Sequence, residues 1–570
     1  MEIFKNYNNY KIYEDDYDEW KTKRNLYEAK KKEYLKNNPA SQEEKQEALK
    51  RGKVLLRAMD VMDEYSQSRA EDAEILTEEI SNQVMSTVMQ LGMVAGTILM
   101  LLLRKNNPKP KIKKPKDEPI NYFSKELIIP YAVGIGASII ASIPILSWAA
   151  QIQIGASRHG RFEAMNKDLS NPNEFAILDE KQEQQISEIA KTIPVDKKMK
   201  KELNRRDMDT NPFGFMDSIK ELLMKNDDYE KQEEEFEDKI DANRIKTGQK
   251  ISDKDILMAK KDQKLLLNLV EKVDIASQDY SENVEFATNT LSFVSTFALM
   301  GVGWLASKAL ESLKMKNEVA KKLIPWGVVL GTAIGISAYL TGLQKQASRV
   351  GRFKVKQEME QDINNFIYVD DEKINKQPDI GVTEKYKPNI FEFLSQAIKD
   401  HKEYKEYLKT EAIEEKKRQR ALNKITLRED QITDAKALQF KTFKTFNRVD
   451  DNSQKYSESV EAVGQIVQNP ISIIGTISGL AVGTIIADKK AKTMLKNKTT
   501  PFIAGLNSAI PIIFGVFIGA IPAVVTDYFI TKEQKKASRI ADMLAIKELD
   551  DYQEFIDYEN LSIEKETAKT

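Results

Sequence analysis

"LIIPYAVGIGASIIASIPILSWAAQIQIGASRHGRF", Leu127 to Phe162, sets a run without a charged residue directly before a short basic phrase. The uncharged part, Leu127 to Ala150, is long enough to cross the hydrocarbon core of a bilayer as one helix, which takes roughly 20 residues. The phrase that follows, Ala156 to Phe162, returns as "ASRVGRF" at Ala347 to Phe353 and as "ASRIADM" at Ala537 to Met543, about 190 residues apart each time in a chain of 570. A phrase repeated at a third of the chain length predicts one architectural unit used three times.

Working outward, each phrase closes a pair of apolar runs. The first helices of the pairs are predicted at about 84–103, 286–307 and 470–487, and the second at about 127–150, 323–343 and 501–525. Short basic connectors such as "DKKAKTMLKNKTT" leave no room for a domain between partners, so each pair reads as a membrane hairpin. Ahead of the hairpins stand "MDEYSQSRAEDAE" from Met62, "VDIASQDYSENVE" from Val273 and "VDDNSQKYSESVE" from Val449. Behind them come "NEFAILDE", "NNFIYVDDE" and "QEFIDYE", which put Phe175, Phe366 and Phe555 in matching slots.

The expected architecture is an all-α membrane protein of three parallel repeats, residues 1–195, 196–383 and 384–570. Each joins a polar helical domain, with coiled-coil character, to a transmembrane hairpin. An even number of crossings per unit gives all three the same orientation, which allows a pseudo-threefold bundle. The pairing resembles that of mitochondrial carriers, but the carrier signature Pro-x-[Asp/Glu]-x-x-[Lys/Arg] is missing where the first helices end in "LLLRKNN", "LASKALE" and "IIADKKA", so that family is excluded.

Two sets of positions stand out. Gly92 and Gly96, Gly303 and Ser307, and Gly479 and Gly483 hold a small-xxx-small pair at one depth of each first helix, the pattern that lets helix backbones approach closely in lipid. Asp63, Gln67 and Glu71 share one helix face, as do Asp274, Gln278 and Glu282, and Asp450, Gln454 and Glu458. Arranged about one axis, these faces would form an acidic vestibule, or would pack against Arg158, Arg349 and Arg539 of the repeated phrase.

Composition narrows the function. Lys+Arg 87 against Asp+Glu 88 provides no basic field for nucleic acid. Zero Cys excludes thiolate chemistry and Cys-ligated metals, and two His without companions offer no zinc site. Phosphate-loop, zinc-protease and nucleophile-elbow motifs are absent. No catalytic residue, cofactor or metal is expected. No ionisable side chain falls within the six apolar cores, which argues against coupled transport. The polar N-terminal stretch carries no signal-peptide pattern, while the basic connectors and the basic phrases pull the topology in opposite directions. The expectation is a multi-pass, non-enzymatic membrane scaffold whose helical domains bind protein partners or further copies of the chain, with the lipid bilayer as a further partner. A virion membrane component of a phage or virus would be one such scaffold, and a pseudo-threefold channel or uncoupled transporter is the alternative.

Overall fold

In the computed structural model, which describes residues 2–106, 125–197, 199, 253–311, 318–380, 390–496 and 501–549, the chain is all-α. No strand occurs among the described residues. Six long helices dominate: α3 (Gln42–Asn106), α4 (Lys125–Lys167), α6 (Asp253–Glu311), α7 (Glu318–Gln361), α11 (Glu429–Lys496) and α12 (Pro501–Glu548). The pairs α3/α4, α6/α7 and α11/α12 pack as antiparallel hairpins. Shorter helices α1 (Glu2–Ile12), α2 (Glu14–Asn37), α5 (Glu180–Thr192), α8 (Asp371–Asn375), α9 (Ile390–Lys409) and α10 (Glu411–Leu422) surround them.

The first helix of each hairpin is continuous from the polar region into the apolar run. At 1.5 Å per residue, the 65 residues of α3 span about 100 Å, far more than a bilayer. The polar halves of α3, α6 and α11 pack on one another and share one core. Its layers come from matching positions: Met59, Val270 and Phe446 form one, and Met62, Val273 and Val449 the next, all buried. The two layers lie three residues apart on every helix, so each helix turns one apolar stripe to the common core.

Residues following the hairpins clamp this core. A 3₁₀ turn at Pro172–Phe175 is capped by Asn171, whose side chain accepts from the Asn173 amide, and a second at Ile363–Phe366 is capped in the same way by Asp362 onto Asn364. The turns drive two buried rings inward. Phe175 meets Phe443 of α11 edge to face at 5.7 Å, and Phe366 lies on α3 over Gly52. Each ring therefore leaves its own hairpin to lean on a neighbouring one. Phe555, the third in the sequence pattern, lies outside the described residues.

Along the apolar halves, the backbones of each hairpin come close. A Cβ added to Gly92 would sit 2.7 Å from the Gly134 Cα, and one on Gly96 would sit 2.5 Å from the Pro130 Cα. In the third hairpin Gly475 and Gly519 face each other, with Gly479 beside them, and both Gly479 and Gly483 are buried. Gly303 and Ser307 lie on α6, and their surroundings fall outside the described residues. The outward faces carry large exposed apolar side chains, among them Leu91, Ile98, Ile474, Val482, Ile518 and Ile140, the last 73% exposed. Among the described residues one helix, Ala132–Lys167, is long and apolar enough to cross a membrane, and Gln90–Leu99 is a shorter apolar stretch.

Candidate functional site

The three SQ phrases lie where α3, α6 and α11 pass from the shared core towards the apolar hairpins. Asp63, Asp274 and Asp450 turn inward there and are all buried, offering one carboxylate oxygen each within 4.8 Å of one another. A solvent-filled acidic vestibule is therefore not what the sequence pattern produces. The acids sit inside a ring of hydrogen bonds.

The ring has three sectors. Ser66 on α3 donates to Asp450 on α11 at 3.0 Å, Ser277 on α6 donates to Asp63 on α3 at 3.3 Å, and Ser453 on α11 donates to Asp274 on α6 at 3.1 Å. Each of these hydroxyls also bonds the serine of its hairpin's ASR phrase: Ser66 with Ser157, Ser277 with Ser348, each at 2.7 Å, and Ser453 with Ser538 at 2.5 Å. Gln67 and Gln278 run between hairpins, donating to Ser277 at 2.7 Å and to Ser453 at 2.8 Å. No corresponding bond from Gln454, which is half-buried, occurs among the described residues. Small residues make the close approach possible. A Cβ at Gly351 would meet the Ala276 carbonyl at 2.6 Å, and Gly160 is packed in the same way against the Tyr65 carbonyl.

Cations enter the ring from the ASR phrase, four residues beyond its serine. In the first sector the buried Arg161 binds Asp450 and donates to Ser157 at 2.8 Å and Asn447 at 2.7 Å. In the second, Arg352 reaches Asp63 at 2.5 Å, Asp60 at 3.0 Å and Ser348 at 2.7 Å. In the third sector the matching residue is Asp542. It is buried one turn beyond Ser538, whose partner Ser453 holds Asp274. Neither Asp542 oxygen has a hydrogen-bond partner among the described residues.

Electrostatics follow from this arrangement. Burial, together with the charges of Asp450 and Asp60, pushes the Asp63 carboxyl up to about 6 against the pull of Arg352. Burial and the neighbouring Asp542, Asp450 and Asp63 raise Asp274 well above the carboxylate range. Burial raises Asp542 in the same way, with Glu271 and Asp450 adding to it. Three turns deeper a second polar layer crosses the core. Arg51 grips Asp262 with two bonds of 2.6 and 2.9 Å, and the fully buried Lys441 adds a third of 2.8 Å. Burial opposes charge on Asp262, yet these two cations hold its carboxyl below the usual range.

The arginines named by the sequence pattern play a different part. Arg158 pairs with Asp451 of α11, and Arg539 pairs with Asp279 of α6. Arg349 is buried. Both pairings cross between hairpins, and both go to acids outside the Asp/Gln/Glu faces that the sequence marks. The cause is the inward turn of those faces, which leaves the flank of the neighbouring helix as the nearest anionic surface. Glu282 is held by Lys535 at 3.1 Å, Glu458 is half-buried further along α11, and the Glu71 side chain lies outside the described residues. Sequence reasoning missed Arg161, Arg352 and Asp542, although the signal was present: two copies of the phrase carry Arg at this slot and the third carries its opposite charge. Comparison with protein-family models, curated proteins and solved structures finds no match to this chain.

Proposed function

We propose that the chain is a multi-pass membrane scaffold: three repeats, each contributing a hairpin to a pseudo-threefold bundle of six spans, with the polar helices forming a rigid platform outside the bilayer. The observation that carries this reading is the change in surface along the hairpins. On the platform side of the ring, apolar residues of α3, α6 and α11 are buried in a common core. Beyond it, residues such as Leu91, Ile140, Ile474 and Ile518 face outward. Large apolar side chains exposed at many positions need a partner, and lipid supplies one along the full girth of a bundle.

The ring supports a scaffold over a conduit. Its acids are buried, its serines are bonded to one another and to the acids, and two buried guanidiniums reach two of those acids. A permeation path along the same axis would have to break these bonds. The platform is the part available to protein partners or to other copies of the chain.

Sidedness tests the reading, because the chain lacks Cys and single introduced thiols report cleanly. Cys at Lys111, Lys316 and Lys496 is expected to label from one face of sealed vesicles and Cys at Asn9 from the other, with the protein resisting alkaline carbonate. Labelling of the three connectors from different faces, or release by carbonate, refutes the three-hairpin topology. Cation or solute flux through reconstituted wild-type protein supports the channel instead.

A further inference from the structure

We propose that Asp274 and Asp542 hold a hard divalent cation, of the magnesium, calcium or manganese class, in the third sector of the buried ring. This goes beyond the scaffold reading and does not depend on the membrane topology.

The ring itself supplies the comparison. Two sectors present a guanidinium to the aspartate of the next helix, Arg161 to Asp450 and Arg352 to Asp63. The third presents Asp542 to Asp274 with the same serine pair, Ser453 and Ser538, beside it. Replacing an arginine by an aspartate removes two units of positive charge from a site with no solvent to absorb the change. A divalent cation restores that amount.

The surroundings do not neutralise the pair from elsewhere. On α6, Glu271 faces Asp542 and adds negative charge, but it is already engaged by Arg24 of α2 at 2.8 Å. On α12, Arg539 is engaged by Asp279. From α11, Asp450 turns one unpartnered buried oxygen to the ring, its other oxygen being held by Arg161. From α3, Asp63 is held by Arg352. The unsatisfied atoms of the pair are therefore both oxygens of Asp542, while Asp274 accepts from Ser453 at 3.1 Å and from Gln278 at 3.2 Å, and a buried polar atom left unpaired carries a penalty that a ligand removes. Every donor atom offered is oxygen, and carboxylate and hydroxyl oxygens suit hard cations rather than zinc or copper.

The experiment uses the full-length protein in detergent, stripped with EDTA and titrated with Mg²⁺, Ca²⁺ and Mn²⁺. Thermal unfolding and calorimetry provide the readouts, and Mn²⁺ is counted by electron paramagnetic resonance. At least one of these cations is expected to bind one per chain and to raise Tm by a few degrees at saturation. Asp542→Arg, which copies the other two sectors, is expected to match the loaded wild type in Tm and to ignore all three cations. Should that variant not fold, Asp542→Asn must raise the half-saturating cation concentration by at least about tenfold. Wild-type protein indifferent to all three cations overturns the proposal. So does an undiminished cation response in Asp542→Asn. A wild-type Tm that follows pH between 6 and 8 but no cation assigns the pair to a shared proton and equally overturns it.

Discussion

Single side chains in this molecule differ sharply in what their loss costs, although the sequence writes them alike. Arg158 and Arg352 both belong to ASR phrases, yet Arg352 is almost fully enclosed with Asp63, while Arg158 keeps a quarter of its side chain in contact with solvent beside Asp451. Removing one partner of a fully buried pair strands the other charge at a cost of roughly 3–5 kcal/mol, whereas a partly exposed pair, screened by solvent, costs less. Arg352→Ala is therefore expected to lower the detergent-solubilised Tm far more than Arg158→Ala, and equal effects would show the two sites to be equivalent. A second residue, Glu282, sets a pH dependence. Burial pushes its carboxyl up to about 8, and Lys535 only partly pulls it back. The raised value means that its stabilising contribution is complete below about pH 4.5 and is lost as pH rises towards 8. Glu282→Gln should flatten the fall in Tm between pH 5 and 8, and an unchanged slope would assign that fall to other groups. Neither contrast was legible in the sequence. Spacing gives the face a residue occupies, but whether that face meets solvent or another helix depends on partners hundreds of positions away.

Helices were more legible than their contacts. Periodicity and the uncharged runs predict all-α structure and the pairing of long helices, because a helix carries its own hydrogen bonds and its local pattern suffices. The 3₁₀ turns that seat Phe175 and Phe366 were visible only as a recurring Phe, since their Asn171 and Asp362 caps are short local signals among many similar ones. The small-residue positions yield a test at this scale. Gly475 lies against the Gly519 backbone, so a side chain there must push α11 from α12, while Gly136 on α4 has open space where a Cβ would go. Gly475→Val is expected to destabilise the third hairpin by several degrees of Tm, and Gly136→Ala to leave Tm within about a degree, in line with the small effects of substitutions away from packed features. Comparable losses from both would show that glycine serves chain flexibility in these helices rather than close approach.

Across the whole molecule, the repeated phrases mark three similar stretches of sequence but not how they meet. Matching phrases predict matching local structure. The order in which hairpins lean on one another is fixed by the residues in which the copies differ. Arg161 fits against Asp450 and Asn447, Arg352 against Asp63 and Asp60, and Asp542 against Asp274. These unequal sectors bear on a hazard of similar hairpins packed together, which can dock in the wrong order or exchange with a neighbouring molecule. Were the third hairpin to take the second one's seat, Asp542 would face both Asp60 and Asp63 with no guanidinium between them. Were the second to take the third's, Arg352 would leave its two acids unanswered. Such misassembled forms would carry uncompensated charge in the interior, so the unequal sectors disfavour a wrong order of the three hairpins.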